Sequence, residues 1–289
     1  MSILNRNVLL DNKKFAYKIA VLAVRSLYKE VSLSHKPGLV SFIDSGSHKD
    51  MNANTFMKSI FSLRNYFKKI TLAGSLNMEF KYLQYLGLDA EKKMFKATKG
   101  INTHKGAIFS LGILCAAAGL LHKQKKCISS KNISNIVREN WGTIILNGNN
   151  SNEDLITNGQ IIEKKYGFKG ARFEAANGFL SITQLALPAL INSFEIIKNE
   201  EKSLIQTLFV LMENLSDTNV IHRGNKNGLA FVQNSAREFL QKGGVLQKDW
   251  KEKVLQLHNT FILKNLSPGG SADLLASSYF IYTLEKENL

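Results

Sequence analysis

Proline is almost absent from this chain. Only Pro37, Pro188 and Pro268 occur among 289 residues. Proline lacks an amide proton and breaks helix interiors, so its scarcity leaves long helices open nearly everywhere. Apolar residues use that freedom at helical spacing. Phe56, Ile60, Leu63 and Phe67 fall on one helix face, as do Leu204, Leu208, Leu211 and Leu215. Trp250, Val254, Leu257 and Phe261 repeat the pattern, and so do Ala272, Leu275, Tyr279 and Tyr282. Such stripes are the core faces of amphipathic helices. No series of alternating strands and no repeat of fixed period competes with them. The expected fold is all-α: a single-domain multi-helix bundle over residues 1–289, with its active site at converging helix termini.

The longest apolar run, Ala107 to Leu121, holds Ser110, two glycines and four alanines. A membrane span needs about 20 residues, so a buried helix is the better reading and no membrane partner is expected. The Asn-rich stretch from Asn147 to Asn158 reads as a surface loop. Met1 to Lys14 lacks the apolar stretch of a signal peptide. Cys115 and Cys127 make neither a disulfide framework nor a metal-binding spacing. The expected location is therefore cytoplasmic.

The net charge of +15 raises nucleic acid as a partner. The lysines are scattered, with Lys123 to Lys126 the densest group and Asn and Ile also abundant. That pattern suits polyanionic small molecules, or docking on an acidic carrier protein, better than nucleic acid.

Six polar, glycine-punctuated stretches interrupt the helical pattern. They are EVSLSHKPGLV (30–40), SGSHKDMN (45–52), GINTHKG (100–106), GFKGARFEAANGF (167–179), DTNVIHRG (217–224) and LSPGGSADLL from Leu266. Lys36-Pro37-Gly38 should end the first helix. Thr103 is expected to cap a helix N-terminus, placing His104 and Lys105 in its first turn. Cations there oppose the helix dipole unless an anion such as phosphate joins them. Ser271 is expected to cap the last helix, with Asp273 in its first turn. Each stretch alone is ordinary turn and capping chemistry. Together they place acids, bases and phosphate binders at helix ends, which a bundle gathers at one pole.

The chain has no GxxxxGK[ST] or GxGxxG phosphate loop, no HExxH and no GxSxG. Carboxylates dominate the motifs, so a bound metal would be Mg²⁺.

In this order the stretches resemble the triphosphoribosyl-dephospho-CoA synthase family, the accessory proteins of citrate lyase and malonate decarboxylase. The longest matching segments are NTHKGAIFSLGILCAAAG and NLSPGGSADLLA, and the matches span residues 30 to 276. The resemblance implies an all-helical pentosyltransferase. It would move the triphosphoribosyl group of ATP to the 2′-hydroxyl of 3′-dephospho-CoA and release adenine. The product is the prosthetic-group precursor for an acyl carrier protein, so that carrier or its prosthetic-group transferase is an expected partner; homodimerisation is left open. The family usually has Asp at Ser41, Gly at Phe173 and a second glycine at Asn225. Phe173 would narrow the pocket or change the acceptor.

That reaction builds positive charge on the ribose, expels adenine and deprotonates a hydroxyl. It needs an acid, a base and cations on the triphosphate. Glu174 or Asp217 is the expected general base, and alanine at Glu174 should then slow turnover roughly 10²–10⁴-fold. Asp50 and Asp273 are the expected ligands of Mg²⁺ or the ribose hydroxyls. Lys36, His48, Lys49, His104, Lys105, Arg172 and Arg223 are expected on phosphates, with donors from Ser271 and the Gly269-Gly270 backbone. The alternatives are a related ATP-cleaving hydrolase, a transferase with another acceptor, and a non-catalytic carrier-docking protein.

Overall fold

A computed structural model describes residues 3–148 and 158–287. Helices fill nearly all of it, and no strand occurs among the described residues. The fold is all-α, as the proline scarcity and apolar stripes require. Most of the Asn-rich stretch after Asn147 lies outside the described residues.

The first layer holds α1 (Ile3–Ser32), α2 (Ala53–Ser75), α3 (Phe80–Ala97) and α4 (Lys105–Lys123). α4 is its axis: Ala107, Ile108 and Ser110 through Leu121 are all buried. By length and composition α4 could cross a membrane. Burial on nearly every side instead makes it a core helix. Its small residues let neighbours approach closely; a Cβ at Gly119 would lie 2.1 Å from the Thr71 carbonyl oxygen of α2.

α5 (Ser130–Ile136) passes through a π turn into α6 (Gly142–Asn147). α7 (Asn158–Tyr166), α8 (Ala171–Ala176) and a second π turn at Ser181–Ala186 lead to α9 (Leu187–Ile197). The second layer follows: α10 (Glu200–Asn214), α11 (Thr218–Gln241) and α12 (Trp250–Leu263).

α13 (Gly269–Lys286) joins the layers. Its Ala276, Phe280, Ile281 and Leu284 pack with Ile60, Leu63 and Phe67. Its Ala272, Leu275 and Tyr279 pack with Leu204, Leu208, Trp250 and Phe261. One helix apolar on both sides thus serves two core clusters.

Two expected caps are not found. His104, not Thr103, stands at the N-cap of α4, and Asn102 Oδ1 accepts the Lys105 amide at 3.2 Å. Pro268 stands at the N-cap of α13, so Ser271 lies inside the helix and Asp273 beyond its first turn. The anion at that N-terminus is Asp217, whose Oδ2 accepts the Ser271 amide.

Candidate active site

The ends of α1, α4, α8, α11 and α13 meet around a cavity of about 670 Å³. A shallower cavity of about 600 Å³ adjoins it and shares His48, Asp50 and Arg223 as a common wall. The six polar stretches are the segments that enter and leave these helix ends, which is why they gather here.

Many of their charged groups are engaged within the protein. Lys36, buried, donates from Nζ to the Glu30 carbonyl at 2.6 Å and to Glu30 Oε1 at 2.6 Å. It satisfies the C-terminal end of α1 rather than a phosphate. Burial pushes the Lys36 ammonium down from its ordinary value, and the Glu30 carboxylate opposes that shift.

Asp217, also buried, is the anion for two helices. Its Oδ1 accepts the Asn219 amide of α11 at 3.0 Å, and its Oδ2 accepts Ser271 N at 2.8 Å and Ser271 Oγ at 3.1 Å. The Gly270 amide adds to it, while the Gly269 amide donates to Ser267 O at 2.9 Å. Gly269 and Gly270 line the cavity, yet their amides and Ser271 are not free for a phosphate. Asp217 itself does not line the cavity. Burial raises its carboxyl, and the donated hydrogen bonds oppose that.

Glu174 likewise lies outside the cavity lining. It accepts Ser181 N at 2.7 Å and Ser181 Oγ at 3.0 Å, holding the start of the second π turn. Burial raises its carboxyl against those two bonds. The two carboxylates expected as the base therefore both accept donors at the starts of helical segments, Asp217 from α11 and α13 and Glu174 from Ser181.

The expected carboxylates that do line the cavity are Asp50 and Asp273, and Asp273 is the less exposed of the two. No donor reaches its side chain among the described residues. A Cβ on Gly106 would lie 2.0 Å from Asp273 Oδ2, so only glycine at the start of α4 admits it. Burial, then the carboxylates of Glu30 and Asp217, raise the Asp273 carboxyl well above its ordinary value. Glu30 also lines the cavity; it belonged to the first stretch, but its place at a helix end gave no sign of that role.

His104 is buried. Its Nδ1 meets Ser59 Oγ at 2.7 Å, and its Nε2 has no partner. Burial and then nearby Lys36 hold its imidazole down to about 3, so it is uncharged near neutral pH. It cannot serve as the phosphate cation expected of it. Adjacent Thr103 Oγ1 is a second buried atom without a partner. Ser59, mid-helix in α2, carried no sequence signal.

His48 is uncharged for another reason. Arg223 Nη2 stands 3.0 Å from His48 Nδ1, and a guanidinium can only donate, so Nδ1 accepts. His48 Nε2 then donates to Ser267 Oγ at 2.9 Å. Burial, then Arg223, lower its imidazole against the opposing pull of Asp50. Arg223 is fixed further by Ser47 O at 3.0 Å and Asn265 Oδ1 at 2.8 Å. Lys105, Arg172 and Arg223 are the expected cations that line the main cavity, joined by His222. Lys105 is shared with Glu91 at 3.1 Å. Lys49 lines the outer cavity alone, and exposed Asp50 lines both.

Phe173 does not narrow the cavity. It is absent from the lining, and Lys169 Nζ sits 3.9 Å from its ring centroid. Ser41 is buried and accepts the Ile43 amide in a turn. Asn225 kinks α11 at φ 55°, ψ −161°, a region that glycine occupies freely.

No set of three His, Cys, Asp or Glu side chains gathers as a metal cage among the described residues. Asp50 and Asp273, the expected ligands of Mg²⁺, both line the main cavity.

Comparison with known proteins places this architecture. A probable 2-(5″-triphosphoribosyl)-3′-dephosphocoenzyme-A synthase of Acinetobacter calcoaceticus is 39% identical, covering 97% of this chain and 96% of its own. A probable synthase of the same name from Vibrio cholerae is 38% identical over 91% and 87% of the two chains. The synthase of Pectobacterium atrosepticum is 38% identical over 89% and 86%. No solved structure matches. The model of the ATP:dephospho-CoA triphosphoribosyl transferase family matches residues 16–289, and the chain belongs to that family.

Proposed function

We propose that the main cavity is where this chain carries out its family's transfer, moving the triphosphoribosyl group of ATP to the 2′-hydroxyl of 3′-dephospho-CoA and releasing adenine. The observation that carries this reading is the mixed charge of the cavity lining. Lys105, Arg172, His222 and Arg223 contribute cationic or donor groups, while Glu30, Asp50 and Asp273 contribute carboxyls. A triphosphate favours the cations. The ribose, where positive charge develops, favours the carboxyls.

Asp273 takes the proton of the attacking hydroxyl in this reading. A carboxyl held above its ordinary value with no donor on it is a better base than one stabilised by several donors. Asp50 would hold Mg²⁺ at the rim. Mg²⁺ would neutralise triphosphate charge when bound. The neighbouring cavity, walled by His48 and Arg223, gives room for the second substrate. Handing the product to an acyl carrier protein or its prosthetic-group transferase, homodimer formation and a cytoplasmic location complete the reading.

Incubation with ATP, Mg²⁺ and dephospho-CoA tests it, with adenine followed by chromatography. Adenine release that requires dephospho-CoA supports the transfer. Release without acceptor identifies a hydrolase, and no release with measurable carrier binding identifies a docking protein.

A further inference from the structure

One buried group in the cavity wall has no role in the scheme above. His104 is 3% exposed, lines the cavity and leaves Nε2 without a partner. A buried polar atom without a hydrogen bond costs about 1–3 kcal/mol, and its persistence calls for a reason.

The tautomer follows from its neighbour. Ser59 Oγ is buried, and His104 Nδ1 is its hydrogen-bond partner at 2.7 Å. If Nδ1 carried the proton, the Ser59 hydroxyl proton would be left unsatisfied as well. Ser59 therefore donates, Nδ1 accepts, and Nε2 bears the hydrogen. The unpartnered atom is an N–H donor on an uncharged ring.

Its surroundings select the acceptor. The Phe56 ring packs edge-on at 4.8 Å, and Phe95 and Leu27 line the same cavity. Glu30 and Asp273 line the same cavity, and Lys36, the cation near the ring, is committed to Glu30, which leaves little to hold an anion here. An uncharged aromatic heterocycle with ring lone pairs fits apolar walls and a single neutral donor.

Resting on the transferase reading, we propose that this corner binds the leaving adenine and that His104 Nε2–H donates to one of its ring nitrogens, N3 or N7. When the C1′–N9 bond breaks, its electron pair passes to the purine, and a fixed neutral donor stabilises that charge. The acceptor oxygen bonds to C1′ and gives up its proton, and the purine takes one up, so the turnover is proton-neutral. His104 stays neutral throughout. The unsatisfied donor of the free enzyme is the one that becomes paired when adenine occupies the corner.

The test compares ATP with its 3-deaza and 7-deaza analogues in the wild type and in His104→Asn. Asparagine can keep the Ser59 contact and removes Nε2. The variant should melt no lower than the wild type without substrate, and lose about 10²-fold in turnover of ATP. For one analogue, the ATP-to-analogue ratio of kcat/KM should shrink at least about tenfold. His104→Gln, whose amide N–H reaches toward the Nε2 position, should recover part of the loss. A folded variant with the wild-type ratios for both analogues overturns the proposal. Should the wild type itself release no adenine from ATP with dephospho-CoA, the transferase reading fails and the proposal with it. Adenine release with unchanged ratios removes the proposal alone.

Discussion

Two sides of the cavity differ in how completely their polar groups are partnered. Around the start of α11 and α13, Asp217 takes donors from two helices, and His48 links Arg223 to Ser267 by hydrogen bonds at both ring nitrogens. Around the start of α4, Thr103 Oγ1 and His104 Nε2 have no partners, and the Asp273 carboxyl, beside Gly106, has no donor among the described residues. Unpartnered buried polar atoms are rare in native proteins, and these two, unlike Ser203 Oγ, belong to residues that line the cavity. The partnered side holds helices in place, and the unpartnered side waits for substrate.

Asp273→Asn is the sharpest way to break that contrast. It should slow adenine release roughly 10²–10⁴-fold, as loss of a general base does, without lowering the melting temperature. It should also change the pH dependence of stability, measured by thermal melts in EDTA. The folded protein holds the Asp273 proton more tightly than the unfolded chain does. Stability from that proton is full below the unfolded value of about 4 and is lost as pH rises through the folded one. The variant should lack this part of the decline.

Asp217→Ala should show the opposite signature. It leaves the Asn219 and Ser271 amides without their acceptor. Unfolding in urea should report a loss of about 3 kcal/mol, combining a lost cap with unsatisfied donors. A smaller effect of the same kind is expected for Glu174→Ala, about 1–2 kcal/mol from the Ser181 contacts, with near-normal turnover per folded molecule. A fall of 10²-fold in folded Glu174→Ala would restore Glu174 as the base. The smallest effect is Asn225→Gly. It relieves a glycine-like backbone conformation and should raise stability by about 1 kcal/mol in the same urea assay.

The helices were legible because Ile60, Leu63 and Phe67 or Leu204, Leu208 and Leu211 recur at helical spacing, and spacing survives any tertiary arrangement. The polar stretches were legible as helix ends for a similar reason: Gly, Pro, Ser and Asp act locally. The division of labour inside the site was not. Asp217, Glu174 and Asp273 look alike in sequence, and only the long-range donors Ser271 and Ser181 separate anchor from open carboxyl. Lys36 was misread because its partner, the Glu30 carbonyl, is a backbone atom at a helix C-terminus. His104 read as a cation because nothing local shows that Phe56 and Lys36 surround it.

The two uncharged histidines give the most direct test, since one is fully partnered and the other is not. Long-range proton–nitrogen NMR of the imidazoles, recorded with increasing adenine, reads both at once. The His104 Nε2 resonance should move on adenine addition while His48 stays fixed. Movement of His48 alone, or no movement of His104 at saturating adenine, would contradict this.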